Sequence, residues 1–402
     1  MEYAQLILVT GSVIVLTMLI KTLLDRSVFP SLIGFLLLGI LLRSAEAQGN
    51  FLPEGSEHVL SYMGQFGLVT LLFSIGMKSD ITNLLGQLRN ASVAWVSNII
   101  IAALFGYLTA FYLLHLGLAT SLIIAVAFTA TSVGVSVKVW DDKGALKSSK
   151  GALLLDLAEL DDVSAVVLMA FLFTIVNILQ SGGEAPFLAL LFKTSGFFIL
   201  KMAGFALFCY LFARFLEKPA TNFFQRYESL PDSTLTIVGI GLVIASIAEI
   251  LGFSLAIGAF FAGLVFCRDP KIVSVERSFA PIYDLFSPFF FISIGYDFAP
   301  GTFTTALGLA VLLASMAIIS KLVANALPIY FLSDGLTASL IGVSMVPRAE
   351  ITMVIMQKGL QLGEWAVSSH VYAAMVLVSA ITCFLSPVLV NSMLNKWPQD
   401  GG

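Results

Sequence analysis

Charge is what this sequence has least of. Only 11% of its 402 residues are Asp, Glu, Lys or Arg, and 58% are hydrophobic. A soluble domain carries roughly 25% charged residues. A globule of this size with so little charge cannot cover its surface, which excludes a soluble enzyme. A mean hydropathy of +0.97 excludes a disordered or fibrous chain as well. Cysteine is scarce too. Cys209, Cys267 and Cys383 lie in or beside apolar segments, and their spacing fits neither a metal site nor a disulfide framework. The three histidines, His58, His115 and His370, fall near the ends of apolar runs and form no cluster. No cofactor is therefore expected. The net charge of −4 comes without a basic face, so nucleic acid is not expected as a partner.

What the sequence has instead is long apolar runs. A helix needs about 20 predominantly apolar residues to cross roughly 30 Å of hydrocarbon. Thirteen segments meet or approach that length: 4–24, 28–45, 58–77, 92–114, 118–138, 150–179, 187–213, 233–250, 253–267, 279–298, 304–330, 335–357 and 366–394. The first has no basic residues ahead of it, whereas Lys21 and Arg26 follow it, so it reads as a retained span and not a signal peptide. The expected class is an all-α polytopic membrane protein of about 13 transmembrane helices, with the lipid bilayer as its surroundings.

Orientation follows from the basic residues of the short loops. Lys21, Arg26, Lys78, Arg89, Lys138, Lys143, Lys147, Lys150, Arg214, Lys218, Arg226, Arg268, Lys271, Arg277 and Lys396 share the side of the C-terminus. Arg43 and Lys358 are on the other. This bias predicts an outside N-terminus and a cytoplasmic C-terminus. No loop is long enough to fold by itself, so residues 1–402 read as a single membrane domain without a soluble regulatory domain. An odd number of spans also permits two halves offset by seven spans and inverted in the membrane, an arrangement of secondary transporters.

The informative residues are ionisable groups deep inside the spans, where each costs at least about 2.5–3.5 kcal/mol. The sixth span contains Leu155-Asp156-Leu157-Ala158-Glu159-Leu160-Asp161-Asp162-Val163. At 1.5 Å per residue, Asp161 and Asp162 lie roughly 17 Å from the Lys150 end, close to the midplane. Adjacent residues project about 100° apart, so the two carboxylates face different surroundings. Two carboxylates this close do not both ionise cheaply in low dielectric without a nearby cation. That chemistry suits a site exchanging protons for a metal cation. Asp156 and Glu159 are nearer the interface, where solvent or loop lysines also account for them. Lys321, within Ile318-Ile319-Ser320-Lys321-Leu322, is too deep in the eleventh span to snorkel and needs a carboxylate. The twelfth span carries Val346-Pro347-Arg348-Ala349-Glu350. Pro347 interrupts its helix, and Arg348 and Glu350 point to different faces. The fifth span holds Thr129-Ala130-Thr131-Ser132-Val133-Gly134. Its hydroxyls and freed carbonyls suit an unwound cation-binding segment, although Thr and Ser also bond back to their own helices.

Together these residues resemble the cation/proton antiporter superfamily (CPA2 branch), specifically bacterial NapA-type sodium/proton antiporters and Kef-like exchangers. Thr129–Gly134 is similar to the family's unwound-helix motif, and Leu160-Asp161-Asp162-Val163 to its paired-aspartate motif. Ser254–Gly263, Pro288–Gly295 and Met345–Glu350 support the match in order and spacing. The resemblance implies inverted repeats with two crossing discontinuous helices, an NhaA/NapA-like fold, and a homodimer. Spans 1–3 and 7–10 would form the dimerisation scaffold, and spans 4–6 and 11–13 the mobile core. It implies that Asp162 carries cation and proton, that Asp161 pairs with Lys321, and that Thr129, Thr131 and Ser132 line the site. Arg348, Glu350 and Glu159 would be supporting charges, Glu159 being a departure from the family pattern.

The implied activity is electrogenic, elevator-type exchange of sodium or lithium for protons across a bacterial inner membrane, serving pH and sodium homeostasis. A potassium/proton antiporter is the alternative within the superfamily. A cation channel is the alternative from another class, but opposite charges at mid-depth suit an occludable site better than a pore. An intramembrane aspartyl protease needs facing aspartates, which adjacent residues on one helix cannot supply.

Overall fold

The computed structural model describes residues 2–27, 29–49, 52–79, 81–181, 187–225, 234–267, 272–299 and 301–399. Among these there is no strand. The backbone is satisfied helix by helix, as the absence of water in hydrocarbon demands. The helices are α1 (Glu2–Leu24), α2 (Ser31–Gly49), α3 (Ser56–Lys78), α4 (Ile81–Leu108), α5 (Leu118–Thr129), α6 (Val133–Asp142), α7 (Ser149–Ser181), α8 (Phe187–Leu211) and α9 (Glu217–Gln225). They continue with α10 (Thr234–Ile250), α11 (Leu255–Phe266), α12 (Ile272–Tyr296), α13 (Thr302–Lys321), α14 (Leu327–Leu332), α15 (Gly335–Ser344), α16 (Glu350–Gln361) and α17 (Ser369–Lys396). Among the described residues, ten helical stretches are long and apolar enough to cross a membrane. The expected spans 233–250, 253–267 and 335–357 fall on the shorter helices α10, α11 and the α15–α16 pair. Arg226, Arg268 and Lys271, which contribute to the orientation bias, lie outside the described residues, as do the side chains of Arg89 and Arg277.

By compactness the chain divides into two units. The first comprises residues 1–61, 86–165 and 291–402. Its centre is a pair of interrupted helices. The fifth span breaks at Ala130–Ser132 between α5 and α6, and the twelfth at Met345–Ala349 between α15 and α16. The breaks touch, because the Ser132 amide donates to the Pro347 carbonyl at 2.8 Å. Around them pack α13 and α17, while α5 lies against α16 and α6 against α17. A π-helical turn at Leu322–Ala326 joins α13 to α14. In the same unit, a Cβ added at Gly39 would meet the Ile292 carbonyl, and one at Gly295 the Leu36 carbonyl. Only glycine lets these two backbones come so close.

The second unit comprises residues 62–85 and 166–290. Here α10 and α11 form a tight hairpin. Ser254 caps α11, its side chain accepting from the Ile257 amide at 3.4 Å, as hydroxyl residues do at helix starts. Phe73 packs against Phe266 and Phe279, and Gly76 meets Gly263 backbone to backbone. The Ser254–Gly263 motif therefore serves capping and close packing in this structure.

Candidate ion-binding site

The site is assembled where the two breaks cross. The α5 helix ends at Thr129 because the chain turns extended at Ala130 (φ −65°, ψ 142°). Ending there leaves its last carbonyls without helical partners, and side chains from distant helices take them. Thr352 Oγ1 donates to the Ala127 carbonyl at 3.1 Å. Arg348, fully buried, donates through one guanidinium nitrogen to the carbonyls of Phe128, Ala127 (3.3 Å) and Ala130 (3.2 Å). Its second nitrogen donates to the Ala317 carbonyl and to Ser320 Oγ, both at 3.2 Å. The guanidinium also lies 4.7 Å from the centre of the Phe128 ring, where a cation meets the negative ring face. Lys321 Nζ donates to the Thr129 carbonyl. Two buried cations thus sit at a helix C-terminus, where the macrodipole favours positive charge.

The paired aspartates lie near the middle of α7 and face apart, as their spacing predicts. Asp161 is 1% exposed and Asp162 is partly exposed. Asp161 Oδ1 stands 3.8 Å from Lys321 Nζ and accepts from Asn98 Nδ2 at 2.5 Å. The Asn98 oxygen in turn accepts from Lys321 Nζ at 2.8 Å and from Asn325 Nδ2 at 3.2 Å. Thr131 lies beside the Asp161 carboxylate and Ser132 beside that of Glu350. Thr131 Oγ1, Ser132 Oγ and Asp161 Oδ2 are buried together, and within the described residues none of them makes a hydrogen bond of good geometry beyond these acid–hydroxyl contacts. Buried polar atoms normally have well-formed partners, so three weakly engaged oxygens at one crossing are oxygen donors of the kind a hard cation takes.

The structure brings together Asp161, Lys321, Thr129, Thr131, Ser132, Arg348 and Glu350. Asp162 shares the neighbourhood, since Asp161, Glu350, Glu159 and Lys321 all bear on its charge. Thr129 contributes differently from its sequence reading. Its hydroxyl returns to the Val126 carbonyl at 2.8 Å, and only its backbone oxygen faces the site. Sequence reasoning missed Asn98, Asn325 and Trp95, whose indole donates to the Leu160 carbonyl at 3.1 Å and to Ser164 Oγ at 3.2 Å. Asn98 and Asn325 are amides set in apolar runs, a signal that a search for ionisable groups passes over. The three cysteines are free thiols.

With this geometry in place, similarity to known proteins becomes informative. Residues 12–396 match the family described as "Sodium/hydrogen exchanger, transmembrane". The chain is 26% identical over 364 residues to the high-affinity Na(+)/H(+) antiporter NhaS3 of Synechocystis, covering 89% of this chain and 76% of that one. It is 26% identical over 375 residues to a Na(+)/H(+) antiporter of Enterococcus hirae, covering 91% and 92%. Among solved structures, the sodium proton antiporter MjNhaP1 of Methanocaldococcus jannaschii superposes with a TM-score of 0.70 at 14% identity, covering 99% of this chain and 98% of that one. That likeness speaks for the fold.

Proposed function

This chain belongs to the sodium/hydrogen exchanger family, a family of multi-pass membrane transporters, and from that premise we propose how its central site works. The protein is a monovalent cation/proton antiporter, and sodium is the ion we assign to it. The observation that supports this reading is the buried cluster of oxygens on Asp161, Thr131 and Ser132, beside an Asp161–Lys321 pair held at 3.8 Å.

In the mechanism we infer, Asp162 is the primary carboxylate, being the partly exposed member of the pair. An arriving sodium ion binds Asp162 and the free oxygen of Asp161, with Thr131 and Ser132 completing the shell. Its charge competes with Lys321 for Asp161, and protons leave as the cation binds. Reprotonation on the other side releases the ion. Arg348 stays fixed on the α5 carbonyls and holds the crossing rigid, while Glu350 and Glu159 set the local field. Lys321 moves charge with the proton, which makes exchange electrogenic. We further assign a homodimer in a bacterial inner membrane, an outside N-terminus, and an elevator-type core of spans 4–6 and 11–13 on a scaffold of spans 1–3 and 7–10.

The test is reconstitution into proteoliposomes with an imposed pH gradient, followed by pulses of sodium, lithium or potassium. The expected result is dissipation of the gradient by sodium and lithium in the wild type and none in Asp162→Asn. A potassium response alone reassigns the ion. Unaltered exchange in Asp162→Asn overturns the site.

A further inference from the structure

The ammonium of Lys321 and the carboxylate of Asp161 do not form a direct hydrogen bond. Their nearest atoms are 3.8 Å apart, beyond the 2.7–2.9 Å of a charge-assisted contact. Between them stands one amide. Asn98 Oδ1 accepts from Lys321 Nζ at 2.8 Å, and Asn98 Nδ2 donates to Asp161 Oδ1 at 2.5 Å. A carboxamide is neutral, yet it accepts from a cation at one end and donates to an anion at the other. Asn98 itself is held in register by Asn325 Nδ2, at 3.2 Å from its oxygen, and Asn325 also donates to the Lys321 carbonyl at 3.0 Å. That last bond spans the π-helical turn that begins directly after Lys321. Turns of this kind cluster at functional sites. Both asparagines are fully buried, and beside them Lys321 Nζ also donates to the Thr129 carbonyl.

We propose that Asn98 is a positioning residue that keeps the Lys321–Asp161 pair apart and breakable, with Asn325 as its brace. Coulomb attraction rises as separation falls, and steeply so in a dry interior. With the amide in place, both charges are satisfied without closing on each other, and a cation displaces Lys321 by opening a mediated contact. Without the amide, the two groups close into a direct pair that the cation must break. The charged groups bearing on Lys321 are Asp161, Asp162 and Arg348, and none of these changes in the variant. This inference rests on the assignment of the site to sodium/proton exchange.

The experiment measures sodium-dependent exchange against pH in proteoliposomes, with sodium-dependent thermal stabilisation of the purified protein as a second readout free of turnover. Asn98→Ala is expected to raise the KM for sodium about tenfold with a smaller change in kcat. The pH of half-maximal exchange should move about one unit to the alkaline side. Asn98→Ser, which keeps one donor and one acceptor, should fall between. Asn325→Ala should move KM the same way by about two- to threefold, and it carries the test together with Asn98→Ser if Asn98→Ala does not fold. In a Lys321→Ala background, Asn98→Ala should leave KM where Lys321→Ala alone puts it. A sodium KM and pH profile unchanged from wild type overturn the proposal, as does a fall in kcat alone. Wild-type protein without sodium/proton exchange fails at the earlier assignment, and this inference falls with it.

Discussion

At the first interrupted helix the last carbonyls of α5 face two buried cations, Arg348 and Lys321. At the second, the side-chain donors to the last carbonyls of α15 among the described residues are neutral. Ser136 Oγ donates to the Ser344 carbonyl at 2.7 Å and Ser386 Oγ to the Val343 carbonyl at 2.8 Å; beside them the Trp140 indole donates to the Ser344 hydroxyl at 2.9 Å. Both breaks solve the same problem of orphaned carbonyls in a dry interior. They solve it with different chemistry, and the charged solution lies on the side of Asp161. The difference assigns the breaks different work. The neutral one is a structural joint. The charged one gathers positive charge beside the carboxylates of α7, and in the mechanism proposed above that balance is what an arriving cation disturbs.

The largest test of this contrast is Arg348→Ala. It removes five donor contacts at once and strips the Phe128 and Ala130 carbonyls of their guanidinium donor, so it should destabilise the protein by about 3–5 kcal/mol, the range for breaking a buried charge network. Arg348→Lys should recover less than half, because a point charge cannot fork to several carbonyls. Thermal unfolding in detergent measures both, and a loss no greater than that of the serine variants below would erase the contrast. Lys321→Ala comes next and sharpens the functional side. Exchange should persist but lose its dependence on membrane potential, read by imposing a potassium diffusion potential on proteoliposomes. Persistence of the voltage response would mean that the moving charge resides elsewhere.

At the neutral break, Ser136→Ala and Ser386→Ala should each cost about 1 kcal/mol, the usual net worth of an uncharged hydrogen bond. They should leave the sodium KM unchanged. A shift in KM would show that the second break also senses the ion. The smallest effect is expected where α15 begins. Asp334 caps that helix, and hydrogen bonds from the Thr337 hydroxyl and amide pull its carboxyl down to about 2 from an ordinary 3.8. A lowered carboxyl stabilises the fold above its unfolded value and loses that contribution as pH falls through about 2. Asp334→Asn should therefore lower the melting temperature by about a degree near neutral pH, with the difference vanishing toward pH 2. A constant difference across that range would contradict the capping role.

Much of this site is legible in the amino-acid sequence, and the reason is dielectric. Asp161, Asp162, Lys321 and Arg348 stand out because an ionisable group in an apolar span is costly enough to demand an explanation. Pro347 and the hydroxyl-rich Thr129–Gly134 segment mark the two breaks for a similar reason, since each disturbs a ladder that hydrocarbon otherwise enforces. Asn98 and Asn325 escape because an amide in a span is cheaper and less unusual than a charge. Its meaning comes only from what stands at either end of it. Arg348 is visible as a charge but not as a cap, because its partners lie 220 residues away in sequence. The Thr129 hydroxyl misleads for a local reason, turning back onto its own helix as threonines do.

The distances in sequence carry one more consequence, for how the protein is made. The α5 carbonyls that Lys321 and Arg348 hold are separated from them by 192 and 220 residues. At about 5–20 residues per second, ribosomes take roughly 10–45 s to cover that interval. During that time the first six spans leave the ribosome with neither lysine nor arginine yet synthesised. The nascent core must therefore wait in the translocation machinery or the bilayer with one helix end uncapped and its carboxylates uncompensated. Truncated chains ending before residue 321 should accordingly be retained by membrane quality control, and chains reaching past residue 348 released from it.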